Sequence, residues 1–164
     1  MPWICASCNR LFSAENKQHS CIVTDLQSHF INKPSNLQLV FQKIITNLEI
    51  FGSVDISPVK NAIIISARST FMAIKPRKKY LEIEFVLNEE RDEFPVYKTV
   101  RYTKLKFAHF VRVENPVEID QGFLDTIHQA YLENVARWQQ TSIVKYFIII
   151  VNNWIFRKFC CIFA

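Results

Sequence analysis

The sequence predicts an α+β fold: an antiparallel sheet of five to six strands with helices packed on one face, plus a small N-terminal zinc-binding segment. Three observations predict it. A long stretch with apolar residues at three- and four-residue spacing comes before a continuous run of period-two segments, and a second helical stretch closes that run. Short polar or proline-containing turns separate the period-two segments. Three cysteines and one histidine crowd into the first 21 residues. The 164 residues, 49% apolar and 21% charged, suffice for one domain with its own core. We divide the chain into a zinc-knuckle-like segment (1–23), an α+β domain (24–137) and an apolar, basic C-terminal tail (138–164).

The elements follow in order. Thr24 before Asp25 reads as the cap of a short helical turn reaching Phe30. Pro34-Ser35 opens a long helix, whose stripe is Leu37, Val40, Phe41, Ile44, Ile45, Leu48 and Phe51, with Gly52 as its stop. Val54–Ser57 and Asn61–Ser66 read as strands joined across Pro58, and Ser69–Ile74 as a third, ended by Pro76 in a basic turn. Tyr80–Leu87 alternates, with Leu81, Ile83, Phe85 and Leu87 on one side. Asn88–Pro95 is an acidic loop, and Val96–Thr103 and Lys106–Val113 are two further strands. Asn115-Pro116 leads into a last helix with Ile119, Phe123, Leu124, Ile127, Tyr131 and Val135 on its apolar face.

The N-terminal cluster carries the clearest chemistry. Cys5 and Cys8 form a C-x2-C turn, and His19-Ser20-Cys21 an H-x-C step. A C-x2-C turn aims two thiolates at one ion, and residues two apart on an extended chain face the same way. Cys5, Cys8, His19 and Cys21 are thus a closed tetrahedral set for structural zinc. Trp3 and Phe12 flank the turn as a cover, and Asn9 stands where left-handed geometry is needed.

Composition excludes several classes. Gly52 and Gly122 are the only glycines, so no glycine-rich phosphate loop can be written. The net charge of +5 is concentrated in the tail: residues 1–136 hold 16 Lys/Arg against 15 Asp/Glu. Within the domain the charge lies in blocks, basic from Arg68 to Lys79, acidic from Glu82 to Glu93 and basic from Lys98 to Arg112.

Trp3 to Phe12 (W-x-C-x2-C-x-R-x-F), Asn16 to Cys21, His29-Phe30, Gly52-Ser53-Val54, Ala67-Arg68-Ser69 with Phe71, Leu81 to Leu87, His109 to Val113 and Ala130-Tyr131 together resemble the bacterial family catalogued as domain of unknown function 5655. The resemblance covers about residues 1–137. It implies a compact α+β domain and no established activity; some relatives stand beside nuclease-like domains. Ala6 and Asn9 depart from the usual Pro and Gly of the turn.

These readings lead to a zinc-stabilised binding module for nucleic acid or another anionic ligand. Arg68, Lys78, Lys79, Arg112 and His109 are its candidate anion-binding residues, and Phe71, Tyr80, Tyr97 and Tyr102 its candidate stacking surfaces. The alternatives are a protein-interaction domain, or an enzyme pairing His109 with Arg68 on a small anionic substrate. Residues three apart on a strand face opposite sides, which argues against a simple His109–Arg112 pair. The first apolar stretch is too interrupted for an export leader, so a cytoplasmic location is expected. The tail mixes aromatic and basic residues but is too short between charges to span a bilayer, so its contact with a membrane would be interfacial.

Overall fold

The computed structural model describes residues 3–12, 15, 19, 21 and 24–136; the expected tail, 138–164, lies outside the described residues. The chain divides into two compact units, Met1–Asn134 and Val135–Ala164. Two short antiparallel strands, β1 (Trp3–Ile4) and β2 (Leu11–Phe12), open the first unit.

The turn after them is capped by Asp25, which corrects the expectation for Thr24. The Asp25 carboxylate accepts from the Ser28 backbone N–H at 3.1 Å, ahead of a 3-10 helix at Gln27–Phe30. Helix α1 (Ser35–Phe51) buries Leu37, Val40, Phe41, Ile44 and Leu48, as the stripe predicts. Gly52 stops it at φ +151°, its N–H bonded to the Leu48 carbonyl at 3.3 Å.

Six strands follow: β3 (Asp55–Val59), β4 (Ala62–Ser66), β5 (Thr70–Pro76), β6 (Leu81–Leu87), β7 (Val96–Thr103) and β8 (Lys106–Val113). Pro58 does not join the first two; it sits inside β3, and the turn is Lys60-Asn61. An edge strand tolerates a proline because one row of its N–H groups has no ladder partner. Helix α2 (residues 121–136) closes the described chain, with Asp120 accepting from the Phe123 N–H at 2.8 Å.

The sheet order is β3-β4-β5-β6-β8-β7, and every neighbouring pair is antiparallel. β6 and β7 are therefore parallel, with β8 between them. Residues 88–95 must carry the chain from the row of Leu87 back to the row of Val96, which pairs with Val111 beside Ile83.

α1 and α2 cover one sheet face. Ile63, Ile65, Met72, Ile74, Leu81, Ile83, Phe85, Leu87, Val111 and Val113 meet Phe123, Ile127 and Ala130 of α2 and the α1 stripe in one core. A register shift at Ile65/Ser66 lets Phe71 and Met72, though adjacent, both be buried. Phe71 packs edge-on to Tyr131 at 5.8 Å, so it is a core residue and no stacking surface.

Candidate functional site

The N-terminal cluster is built by a tight turn. Asn9 N–H donates to the Cys5 carbonyl at 2.8 Å, and Cys5 N–H to the Arg10 carbonyl at 3.0 Å. Asn9 makes this possible by adopting φ +55°, which asparagine tolerates better than most residues. Cys5 and Cys8 thereby point the same way as His19 and Cys21. The ligand atoms of all four lie within 4.8 Å of one another. Cys5 Sγ is 3.7 Å from Cys21 Sγ, and His19 Nε2 is 3.4 Å from Cys8 Sγ and 3.3 Å from Cys21 Sγ.

Those separations are informative. Sulfur about 2.3 Å and nitrogen about 2.0–2.1 Å from zinc, at tetrahedral angles, put two sulfurs about 3.8 Å apart and sulfur and nitrogen about 3.5 Å apart. A disulfide would need about 2.05 Å. Three of the six donor separations thus match the edges of a tetrahedron that one ion would fill, and the rest are no longer than 4.8 Å. Four protein donors close the set, the arrangement of a structural rather than a catalytic metal.

Aromatic rings pack beside it. Phe12 lies 4.2 Å from the His19 ring and 5.7 Å from Trp3, and the Arg10 guanidinium sits 5.7 Å from Phe12. Arg10 Nε–H also donates to Cys8 Sγ at 3.4 Å, which favours thiolate. Burial acts upward on the Cys5 thiol, but the backbone N–H groups of Ser7 and Cys8 with His19 outweigh it and bring the pKa down to about 6. Cys8 is lowered too, its burial outweighed mainly by the Arg10 backbone and side chain. Cys21 goes up to about 11, chiefly because it bonds to Cys5. Deprotonating one sulfur thus opposes deprotonation of the next, and a divalent cation would relieve that repulsion.

A second feature surrounds His109. It is wholly buried on the core face and stacks on Phe85 at 5.4 Å. Its Nε2 accepts the Arg91 backbone N–H at 3.0 Å, while Thr99 Oγ1 donates to the Arg91 carbonyl at 2.5 Å. Both main-chain groups of the crossover loop's central residue are thereby clamped. The Arg91 guanidinium continues to Glu89 and to Gln129 Oε1 at 2.6 Å, and Asn88 N–H donates to Glu133 at 2.7 Å. The acidic loop is therefore stitched to α2. Beside it a cleft of about 580 Å³ opens between the start of β7 and α2, but its Glu118 and Asp120 are spent as helix caps and its Arg91 in this network.

The other candidate residues stand apart. Arg68 lies in the turn before β5, exposed, its backbone N–H and that of Ser69 both donating to Asn134 Oδ1 at 3.1 Å. Lys78 and Lys79 are exposed in the turn beyond the opposite end of β5. Arg112 is on the outer sheet face, opposite to His109, as strand parity requires. Its guanidinium is 4.1 Å from the Tyr97 ring and 5.2 Å from Tyr80. Arg112 therefore shares an end of the sheet with Lys78 and Lys79, and neither Arg68 nor His109 joins them.

Residues 26–134 match the family described as domain of unknown function DUF5655. The chain belongs to that family. The DUF5655 segment begins after the Cys/His cluster and contains α1, all six strands of the large sheet, and α2 as far as Asn134. No curated protein and no solved structure matches the chain. No helix among the described residues is long and apolar enough to cross a membrane.

Within the DUF5655 segment, sequence reasoning missed Arg91, Thr99 and Gln129, because the loop they hold is fixed by strand order and not by any local pattern. The buried His109 carries a pH prediction. Burial, reinforced by the Arg91 charge, holds its pKa below the ordinary 6.5; burial likewise lowers His29. The unfolded chain thus binds more protons than the native one, so stability rises with pH through this window. It is full above about 6.5 and falls as acidification proceeds from there toward the folded-state values. His109→Phe should remove part of that slope in denaturant titrations at pH 5 to 8, leaving the share of His29. At pH 8 it should still cost about 1–3 kcal/mol, because the Arg91 N–H loses its acceptor. An unchanged pH slope would show that His109 does not titrate with unfolding.

Proposed function

We propose that this DUF5655 protein is a zinc-stabilised binding module for a polyanion, with nucleic acid as the ligand class. The observation that carries the metal half is the gathering of Cys5, Cys8, His19 and Cys21 within 4.8 Å, with three of their separations at tetrahedral-edge length. Three sulfurs and an imidazole suit zinc better than the harder cations, which prefer oxygen. The metal gathers the segment before the domain, and its chemistry stops there, since no open coordination position remains among four protein donors. The ligand half is supported by the cations that Arg112, Lys78 and Lys79 present toward one end of the sheet.

Two measurements test this reading. Elemental analysis of protein purified without chelator should find one zinc per chain. Fluorescence anisotropy with a labelled oligonucleotide should show affinity falling steeply between about 50 and 200 mM salt, as counterion release requires. Zinc without oligonucleotide binding at low salt would overturn the ligand half and leave a protein-interaction domain.

A further inference from the structure

The face of the sheet opposite α1 and α2 carries a pattern that the charge blocks alone do not reveal. On it, Phe110 pairs across the strands with Glu84 and Lys98, and Arg112 with Glu82. Lys75 bonds to Glu84 at 2.7 Å, Arg77 to Glu82 at 2.9 Å, and Tyr97 Oη–H to Glu82 at 3.2 Å. Both carboxylates are thus committed. Arg112 and Lys98 have no carboxylate partner among the described residues, and both are exposed.

These two cations, and the paired Lys75, lie against aromatic rings. The Arg112 guanidinium contacts Tyr97 and Tyr80, at 4.1 and 5.2 Å. Lys98 and Lys75 both approach Phe110, at 5.3 and 5.7 Å. Phe110 and Arg112 are two residues apart on β8, hence about 6.8 Å along the strand. Two ring-and-cation stacks therefore stand side by side on this face; Tyr97 is 42% exposed and Phe110 half-buried.

We infer that this face binds single-stranded nucleic acid, with bases stacking at Tyr97–Arg112 and at Phe110 while Arg112 and Lys98 meet the phosphates. The inference rests on the polyanion reading and specifies its site. A phosphate alone would need cations but no rings. A duplex keeps its bases stacked inside, and a broad six-stranded face presents no helix or narrow ribbon to a groove. A single strand offers unstacked bases and a flexible backbone, which aromatic side chains and guanidinium planes on a sheet accommodate together.

The test uses the full, zinc-loaded chain and a labelled mixed-sequence single strand, in DNA and RNA form, against the same sequence as a duplex. The expected result is single-strand binding at least tenfold tighter than duplex binding. Tyr97→Ala and Phe110→Ala should each weaken it roughly 5- to 150-fold, the range for loss of one stacked base. Lys98→Ala should reduce the salt slope by about one phosphate's worth. Arg112→Lys keeps the charge but loses the planar stack, so affinity should fall with the salt slope unchanged. Lys60→Ala, at an exposed turn away from these stacks, should change nothing. If Phe110→Ala does not fold, Phe110→Leu retains apolar volume without a flat ring and serves instead. Salt-sensitive binding that survives Tyr97→Ala and both Phe110 variants would overturn this face while leaving the polyanion reading standing, as would equal affinity for the duplex. Absence of binding at low salt would overturn both.

Discussion

Cys8→Ser should abolish the stoichiometric zinc proposed for this protein: the wild type should carry one metal per chain after gel filtration, and the variant none. A serine hydroxyl stays protonated near neutral pH and is a poor zinc ligand, whereas the Cys8 thiol has a lowered pKa and accepts from Arg10 Nε–H. The three remaining donors leave an open position. The loss should exceed the roughly 10–100-fold that outer-shell substitutions cost in metal affinity. Because structural zinc contributes about 10–16 kcal/mol of apparent binding free energy in isolated zinc-finger peptides, removing it should release the segment before residue 24. Limited proteolysis should then cut there, and a chelator should have the same effect on the wild type. The DUF5655 domain should keep its melting temperature, since among the described residues its core cluster draws none from before Leu26. Full zinc retention by Cys8→Ser would remove Cys8 from the ligand set.

Gly52→Ala should destabilise the domain by roughly 2–5 kcal/mol, combining backbone strain with overpacking. Gly52 has φ +151° and ψ −168°, a region open essentially to glycine alone. A Cβ there would collide with Tyr131 Oη and lie 3.1 Å from its Cζ. Tyr131 packs against Phe71 and cannot withdraw without disturbing the core. For a domain of this size each kcal/mol lowers the melting temperature by several degrees, so a fall of roughly 10 °C or more is expected. Adding Tyr131→Phe removes the hydroxyl from the collision but not the dihedral strain, so the double variant should recover part of the loss. A single-variant cost below about 0.5 kcal/mol, the scale of ordinary surface changes, would mean that the backbone at Gly52 is not constrained as described.

The periodic elements were legible because their signals are local. The α1 stripe, the alternation of Leu81 to Leu87 and the turn at Asn115-Pro116 each depend on residues within one or two turns of chain. The Cys/His cluster was legible for a related reason: three sulfurs and an imidazole in 17 residues leave few alternatives to a common focus. Local misplacements arose where two residues competed for one role. Asp25 outcompetes Thr24 because its carboxylate reaches the Ser28 N–H. Pro58 looks like a breaker, yet an edge strand has no use for the N–H that it lacks.

By itself, then, the amino-acid sequence determined the α+β class, the helix faces, the alternation of each strand and the Cys/His set that could hold a metal. Tertiary structure alone decided that β8 enters between β6 and β7, since strand neighbours are chosen by contacts between residues far apart in the chain. That choice sends residues 88–95 back across the core face, buries His109 beneath Arg91, and turns a residue that looked available to ligand into a clamp. It also sets Phe110 and Arg112 of β8 between the side chains of β6 and β7, so cations and rings separated along the chain meet on one surface. Parity can tell which side of a strand a residue occupies; only the order of strands tells what stands beside it.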